Sequence, residues 1–234
     1  MFRLKTRDFV ILNHMKTILI TGTSRGLGRA IAQKFLNEGY VVIGTSTSGN
    51  ADVQHENLKM FQLDLSNQQS IKRCADEIRA LEKGIDILIN NAGIAVEEEV
   101  DEPRINVAYV RKTLEVNLLG VIDFTERVIP LMNAGGQIVN VSSQAGSLGF
   151  TGYDKNYPAY RISKAALNMV TRILAVRLAD KIKVSSIHPG WVKTDMGGED
   201  ADSTPEEVAE NIFKFISSDI ETGQFWFKGK KFPW

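Results

Sequence analysis

The sequence has one cysteine, three histidines and no excess of either charge. A single thiol, Cys74, excludes an internal disulfide and fits a reducing compartment; it lies in a helical pattern, where it reads as a small buried apolar side chain. His14, His55 and His188 are scattered, with no carboxylate or cysteine at ligand spacing, so no metal is expected. Lysine plus arginine and aspartate plus glutamate each total 28, which removes the electrostatic case for nucleic acid or an anionic membrane surface as a partner. Apolar runs of membrane-spanning length are missing as well. The basic start, with Arg3, Lys5 and Arg7 ahead of an apolar run at 9–12, is too short for a secretory signal, and Asp8 with the lack of serine argues against a transit peptide. Residues 1–14 are therefore expected to be a dispensable extension, and the protein cytoplasmic.

No repeat, low-complexity tract or linker divides the rest, and 15–234 is long enough to bury one core. Short β-branched runs alternate with longer amphipathic stretches, the pattern left by a parallel sheet covered on both faces. Strands are predicted at 17–21, 41–45, 59–63, 85–89, 137–141, 184–188 and 224–227. Helices are predicted at 27–38, 67–82, 104–132, 158–180 and 205–217, the last with Thr204 as cap and Pro205 in its first turn. The expected fold is α/β: a single Rossmann-type doubly wound domain over 15–234, with a mostly parallel seven-stranded sheet flanked by helices. The acidic run at 97–102 reads as a solvated loop, and Trp191 as either a cofactor contact or a packing residue.

Gly22, Gly26 and Gly28 follow the first strand and open a helix. In that context the spacing allows a tight turn, close backbone approach to a pyrophosphate and a helix N-terminus facing an anion. A dinucleotide is the expected cofactor. At the end of the second strand, where a carboxylate would bind an adenosine ribose 2′-hydroxyl and repel a 2′-phosphate, the chain has Thr45, Ser46, Thr47 and Ser48. Hydroxyl donors without negative charge, together with Arg25 in the glycine turn, favour NADP(H) over NAD(H).

Tyr160 and Lys164 are four residues apart in a helical pattern, so the phenol and the ammonium project from one face and the lysine charge can stabilise a tyrosinate. Upstream lie Asn117 and the pair Ser142-Ser143. With the glycine turn, these residues resemble the short-chain dehydrogenase/reductase family over nearly the whole chain from Met15. Stretches around Tyr160 and from His188 to Met196 look most like its sniffer-type carbonyl reductases and C-factor-like proteins. The resemblance implies a catalytic tetrad of Asn117, Ser143, Tyr160 and Lys164. It implies cofactor contacts from Gly22, Ser24, Arg25, Gly26, Leu27 and Gly28 in the turn, Thr45, Ser46 and Thr47 after it, and Asp64 and Leu65 near the adenine. It adds Asn91, Ala92 and Gly93 of the Asn-Asn-Ala-Gly motif, Tyr160 and Lys164 again, and Pro189, Gly190, Val192 and Thr194 around the carboxamide.

The implied reaction is reversible hydride transfer with a small ketone, aldehyde or quinone-like carbonyl, Tyr160 acting as general acid. An alternative is an NAD(P)-binding signalling or sensor protein with little turnover; the complete tetrad weighs against it. A sugar-nucleotide epimerase is disfavoured by the short C-terminal region. Ser143 and Tyr160 are 17 positions apart, a few more than is common in the family, so 149–158 is expected to form an extra loop. Relatives commonly pair through the helices corresponding to 104–132 and 158–180, making a homodimer or homotetramer the expected assembly unless that loop prevents it.

Overall fold

A computed structural model describes residues 15–96, 104–150 and 155–234. The expected extension at 1–14, the acidic run and residues 151–154 of the loop before Tyr160 lie outside them. The chain begins β1 (Thr17–Thr21), α1 (Gly26–Asn37), β2 (Val41–Ser46), β3 (Leu58–Gln62), α2 (Gln68–Arg79) and β4 (Ile85–Asn90). It continues α3 (Val107–Leu114), α4 (Val121–Val128), β5 (Met132–Val141), α5 (Pro158–Leu178), β6 (Ile182–His188), α6 (Pro205–Ser217), β7 (Phe225–Phe227) and β8 (Lys230–Lys231).

The strands form one sheet in the order β3-β2-β1-β4-β5-β6-β7-β8, parallel except for the last pair. Because side chains alternate across a strand, neighbouring residues enter different cores. Ile18 and Ile20 of β1 pack with Ile31 and Phe35 of α1 and Ile212 and Phe215 of α6, whereas Leu19 joins Cys74 and Ile78 of α2, Phe124 of α4 and Leu174 of α5 on the other face. Strands buried on both sides read as continuous apolar runs for this reason. The order reverses at β1, and the crevice beyond the carboxyl ends of β1 and β4 is where such sheets bind ligands.

Among the described residues the sheet has eight strands, not seven. β8 is two lysines with no apolar alternation, so hydrophobic pattern could not announce it. β5 starts at Met132, ahead of the predicted 137, and its ladder with β4 shifts register between Ile85 and Ile87. The predicted helix over 104–132 is also corrected. α3 runs into a π-helical turn at Glu115–Gly120, then α4, and a 3-10 turn at Ile129–Leu131. Pro130 within that last turn removes a helical donor and ends the segment. α6 carries the expected cap: the Thr204 hydroxyl accepts from Glu207 N at 3.2 Å while the Glu207 carboxylate accepts from Thr204 N at 2.9 Å. Among the described residues no helix is long and apolar enough to cross a membrane.

Candidate active site

The glycine turn leaves the carboxyl end of β1 and enters α1. Gly22 and Gly26 have φ of +75° and +53°, where a side chain is strained. Gly28 is helical, but a Cβ there would collide with the Gly22 carbonyl and the Asn91 side chain. Asn91 braces the turn from β4: its Nδ2 donates to the carbonyls of Thr21 and Gly22 at 2.9 and 3.2 Å, and Thr21 Oγ1 accepts from Asn91 N and Ala92 N at 3.0 Å. Arg25 supplies no side-chain cap to α1, so the first-turn amides remain available to an anion.

At the end of β2, Thr45 Oγ1 is buried with no hydrogen-bond partner, Ser46 Oγ donates to Asn50 carbonyl at 2.8 Å, and Thr47 is exposed. Asp64 Oδ1 accepts from Ser66 N and Oγ at 2.9 and 2.7 Å, and Leu65 is buried in the core. Ser24 and Leu27 are half-buried in the turn. Arg25 pairs with Asp195 at 3.0 Å, both side chains being largely exposed. Beyond β6, Gly190 (φ +93°) donates its N–H to His188 Nδ1 at 3.3 Å, which shapes the turn after Pro189. Val192 is buried, and Thr194 reaches the glycine turn, where a Cβ on Gly26 would meet its methyl at 3.3 Å. An uncapped helix start, a cradle that side chains would fill and an unpaired buried hydroxyl fit a dinucleotide phosphate chain and ribose.

Asn117 from the π turn, Ser143 from the turn after β5, and Tyr160 and Lys164 from α5 meet beside this cradle. Asn117 lies in the π turn, fully buried; its Oδ1 accepts from Ile94 N at 2.8 Å, and its Nδ2 donates to Ile94 carbonyl at 2.9 Å and Ser163 Oγ at 3.1 Å. A Cβ on Gly93 would meet Asn117 Oδ1 at 3.2 Å and Lys164 Nζ at 3.6 Å, so the Asn-Asn-Ala-Gly backbone packs against both. Lys164 is 4 % exposed, its Nζ donating to Val141 carbonyl at 2.8 Å and lying 5.5 Å from the Tyr160 ring centre. Ser143 begins the 3-10 turn after β5 and is hydrogen-bonded to Tyr160, whereas Ser142 is buried and donates to Lys164 carbonyl.

Packing around the half-buried Tyr160 pushes its pKa up, and the hydrogen bond from Ser143, which favours the phenolate, pulls it down. Burial also lowers Lys164 to about 8. The hydrogen bond from Ser143 therefore acts on Tyr160 in the direction that the sequence assigned to the lysine charge, and Lys164 Nζ rests on a backbone carbonyl beside the ring.

The short chain dehydrogenase family profile matches residues 16–205. The chain belongs to the short-chain dehydrogenase/reductase family. It is 30% identical to carbonyl reductase [NADPH] 1 of Mus musculus, over 92% of this chain and 97% of that protein. The carbonyl reductase Sniffer of D. melanogaster superposes with a TM-score of 0.82 at 30% identity, covering 94% of this chain and 100% of that one. The NADPH-bound carbonyl reductase from chicken fatty liver gives 0.85 at 28% identity, covering 94% of both. As a member of this family the protein is an oxidoreductase.

Several residues of the short-chain dehydrogenase/reductase site had no sequence signal. Ser163 links Asn117 to Tyr160, accepting from the amide and donating to Tyr160 carbonyl at 2.7 Å. Val141 and Ile94 contribute only backbone atoms, which no side-chain motif can flag. Trp191 is half exposed, with its Nε1 donating to Gly197 carbonyl at 2.7 Å, so it is a surface residue rather than a core one. Among the described residues no group of histidine, cysteine and carboxylates is placed to hold a metal.

Proposed function

We propose that this protein is an NADP(H)-dependent reductase of small ketones, aldehydes or quinone-like carbonyls, reversible as an alcohol dehydrogenase. The observation that carries the reading is the convergence of Ser143, Tyr160 and buried Lys164 beside the glycine cradle. When bound, the nicotinamide supplies the hydride. Tyr160 gives its proton to the carbonyl oxygen. Ser143 orients that oxygen and stabilises its developing charge, an electrostatic contribution of about 2.7–4 kcal/mol for one well-placed donor. Lys164 holds positive charge beside the phenol and binds the nicotinamide ribose. The resemblance gives Asn117 the role of distorting its helix to hold a water that links the lysine to solvent; its amide is committed to Ile94 and Ser163, so the π turn is the part that would hold that water.

Hydroxyls at 45–48 with no carboxylate among them support NADP(H), as does similarity to a reductase named for NADPH. The Arg25–Asp195 pair is surface-exposed and worth roughly 0–1 kcal/mol, so Arg25 can turn to a 2′-phosphate at little cost. An exposed apolar row on α5, formed by Ile162, Met169, Ile173 and Val176, supports a homodimer through that face.

The test is loss of nicotinamide absorbance with NADPH and with NADH against aldehydes, diketones and quinones. Turnover is expected with NADPH, and Tyr160→Phe is expected to lower it about 10²–10⁴-fold while leaving NADPH binding intact. Binding of NADPH without oxidation by any carbonyl would instead favour the sensor reading.

A further inference from the structure

The segment after α6 is unusually aromatic, and none of its rings belongs to the candidate tetrad. β7 contributes Phe225, Trp226 and Phe227, and Lys228 and Gly229, both at positive φ, reverse the chain into β8. Phe232 N then donates back to Phe225 carbonyl at 2.7 Å. Phe232 packs against Phe225 at 5.2 Å and Phe150 at 5.5 Å between ring centres, and Trp234 stacks on Phe225 at 5.6 Å with the Arg172 guanidinium over its ring.

The loop that follows Ser143 is tied to this segment by its backbone. Ser147, 3 % exposed, donates from Oγ to Pro233 carbonyl at 2.7 Å and accepts from Phe150 N at 3.0 Å. Gly149 N donates to Trp234 carbonyl, and a Cβ at 149 would press on Pro233 at 3.1 Å. Just upstream, Gly146 is packed against the α5 backbone at Lys164, with its carbonyl accepting from Asn168. On its other side the same hairpin supports the cofactor turn: Phe227 stacks on His188 at 4.6 Å, and His188 Nδ1 holds Gly190 N. One aromatic unit therefore touches both the loop beside the candidate acid and the turn beside the nicotinamide.

Between Ser147 and Gly149, Leu148 is 79 % exposed. Trp191 and Met196, 51 % and 53 % exposed, lie on the loop leaving β6 at the same carboxyl edge of the sheet. Three large apolar side chains presented to solvent by loops at one edge of the sheet suit an apolar substrate better than a charged one.

We propose that residues 225–234 form an aromatic clasp that fixes the 147–150 loop as the substrate-side wall of the site, with Ser147 and Trp234 as positioning residues and Leu148 as the side chain that selects apolar carbonyls. The substrate part rests on the reductase reading; the clasp does not. The Ser147 hydroxyl on Pro233 carbonyl and the Gly149 amide on Trp234 carbonyl act on the loop's position, so loosening them alters substrate binding before it alters the proton donor.

Amide hydrogen exchange and steady-state kinetics of Ser147→Ala, Trp234→Ala and Leu148→Asn test this. In the two clasp variants, exchange at Gly149 and Phe150 should rise roughly tenfold or more while β1 and α6 are unchanged. KM for an apolar ketone should rise about five- to tenfold, with kcat within about twofold of wild type and NADPH affinity by fluorescence unaffected. Leu148→Asn should raise KM for that ketone with exchange unchanged, since its backbone anchors remain. Unaltered exchange at 149 and 150 in Trp234→Ala overturns the clasp, as does faster exchange throughout the sheet with kcat lowered and KM constant, the signature of a merely structural role. Exchange needs no turnover: a wild type that reduces no carbonyl sinks the reductase reading and the selection by Leu148, while the exchange data still decide the clasp.

Discussion

Lys164 is almost fully buried with its ammonium on a backbone carbonyl, and burial lowers its pKa to about 8. The cofactor-free protein therefore loses this charge between neutral pH and about 9. NADPH affinity, followed by fluorescence, should weaken as pH rises through about 8, and Lys164→Met should bind weakly with no such dependence; a flat wild-type curve would remove the lysine charge from binding. Stability responds with its own sign. Between about 8 and the ordinary lysine value of 10.5 the unfolded chain binds more protons than the folded one, so the folding penalty from this residue shrinks as pH rises across that window. Cys74 is the opposite kind of residue. Burial among α2 side chains pushes its thiol up to about 12, so a disulfide-exchange reagent should leave it unmodified in the native protein and react once urea unfolds the chain. Fast native-state labelling would place Cys74 at the surface.

At the scale of elements, what the sequence disclosed depended on how each feature is encoded. The carboxyl ends of the strands and the placing of Tyr160 and Lys164 one turn apart on a helix lie in periodicity and were legible, whereas the early start of β5 was not. The positions of Ser143 and Asn117 beside them required the resemblance, since neither residue is distinctive alone. The π turn was not legible in periodicity, where a helix-period pattern continues through Glu115–Gly120; only the resemblance implied a local distortion of the helix at Asn117, and contacts distant in sequence accompany it, Asn117 to Ile94 and Gly120 to the Leu65 backbone. A Cβ at Gly120 would collide with Leu65 carbonyl. Gly120→Ala should consequently destabilise the protein by about 1–3 kcal/mol, measured as a lower urea midpoint, and shift the π turn that positions Asn117. An unchanged midpoint would mean that this close approach has no energetic consequence. β8 and the hydrogen bonds of the 147–150 loop were hidden for a related reason, because they depend on backbone groups, some as distant as the carbonyls of Pro233 and Trp234.

For the whole molecule, the exposed apolar row on α5 leads to a prediction about assembly. Met169, Ile173 and Val176 are 61 %, 58 % and 81 % exposed along one helix, more apolar area in a row than a solitary surface usually leaves uncovered. Light scattering should give twice the monomer mass, and Met169→Glu with Val176→Glu should return it to the monomer while NADPH binding persists; a wild-type monomer would exclude pairing through this face. The two rims of the sheet behave differently. One rim is β3, whose Lys59 and Gln62 face solvent, and the other is β8, only two residues long and both of them lysines. An open strand is a template on which a stranger's strand can crystallise into a fibre, and a rim only two residues long, as at β8, denies it that template. Joining of sheets between crowded molecules would therefore have to begin at β3, which makes that one rim the place where this protein guards against fibres.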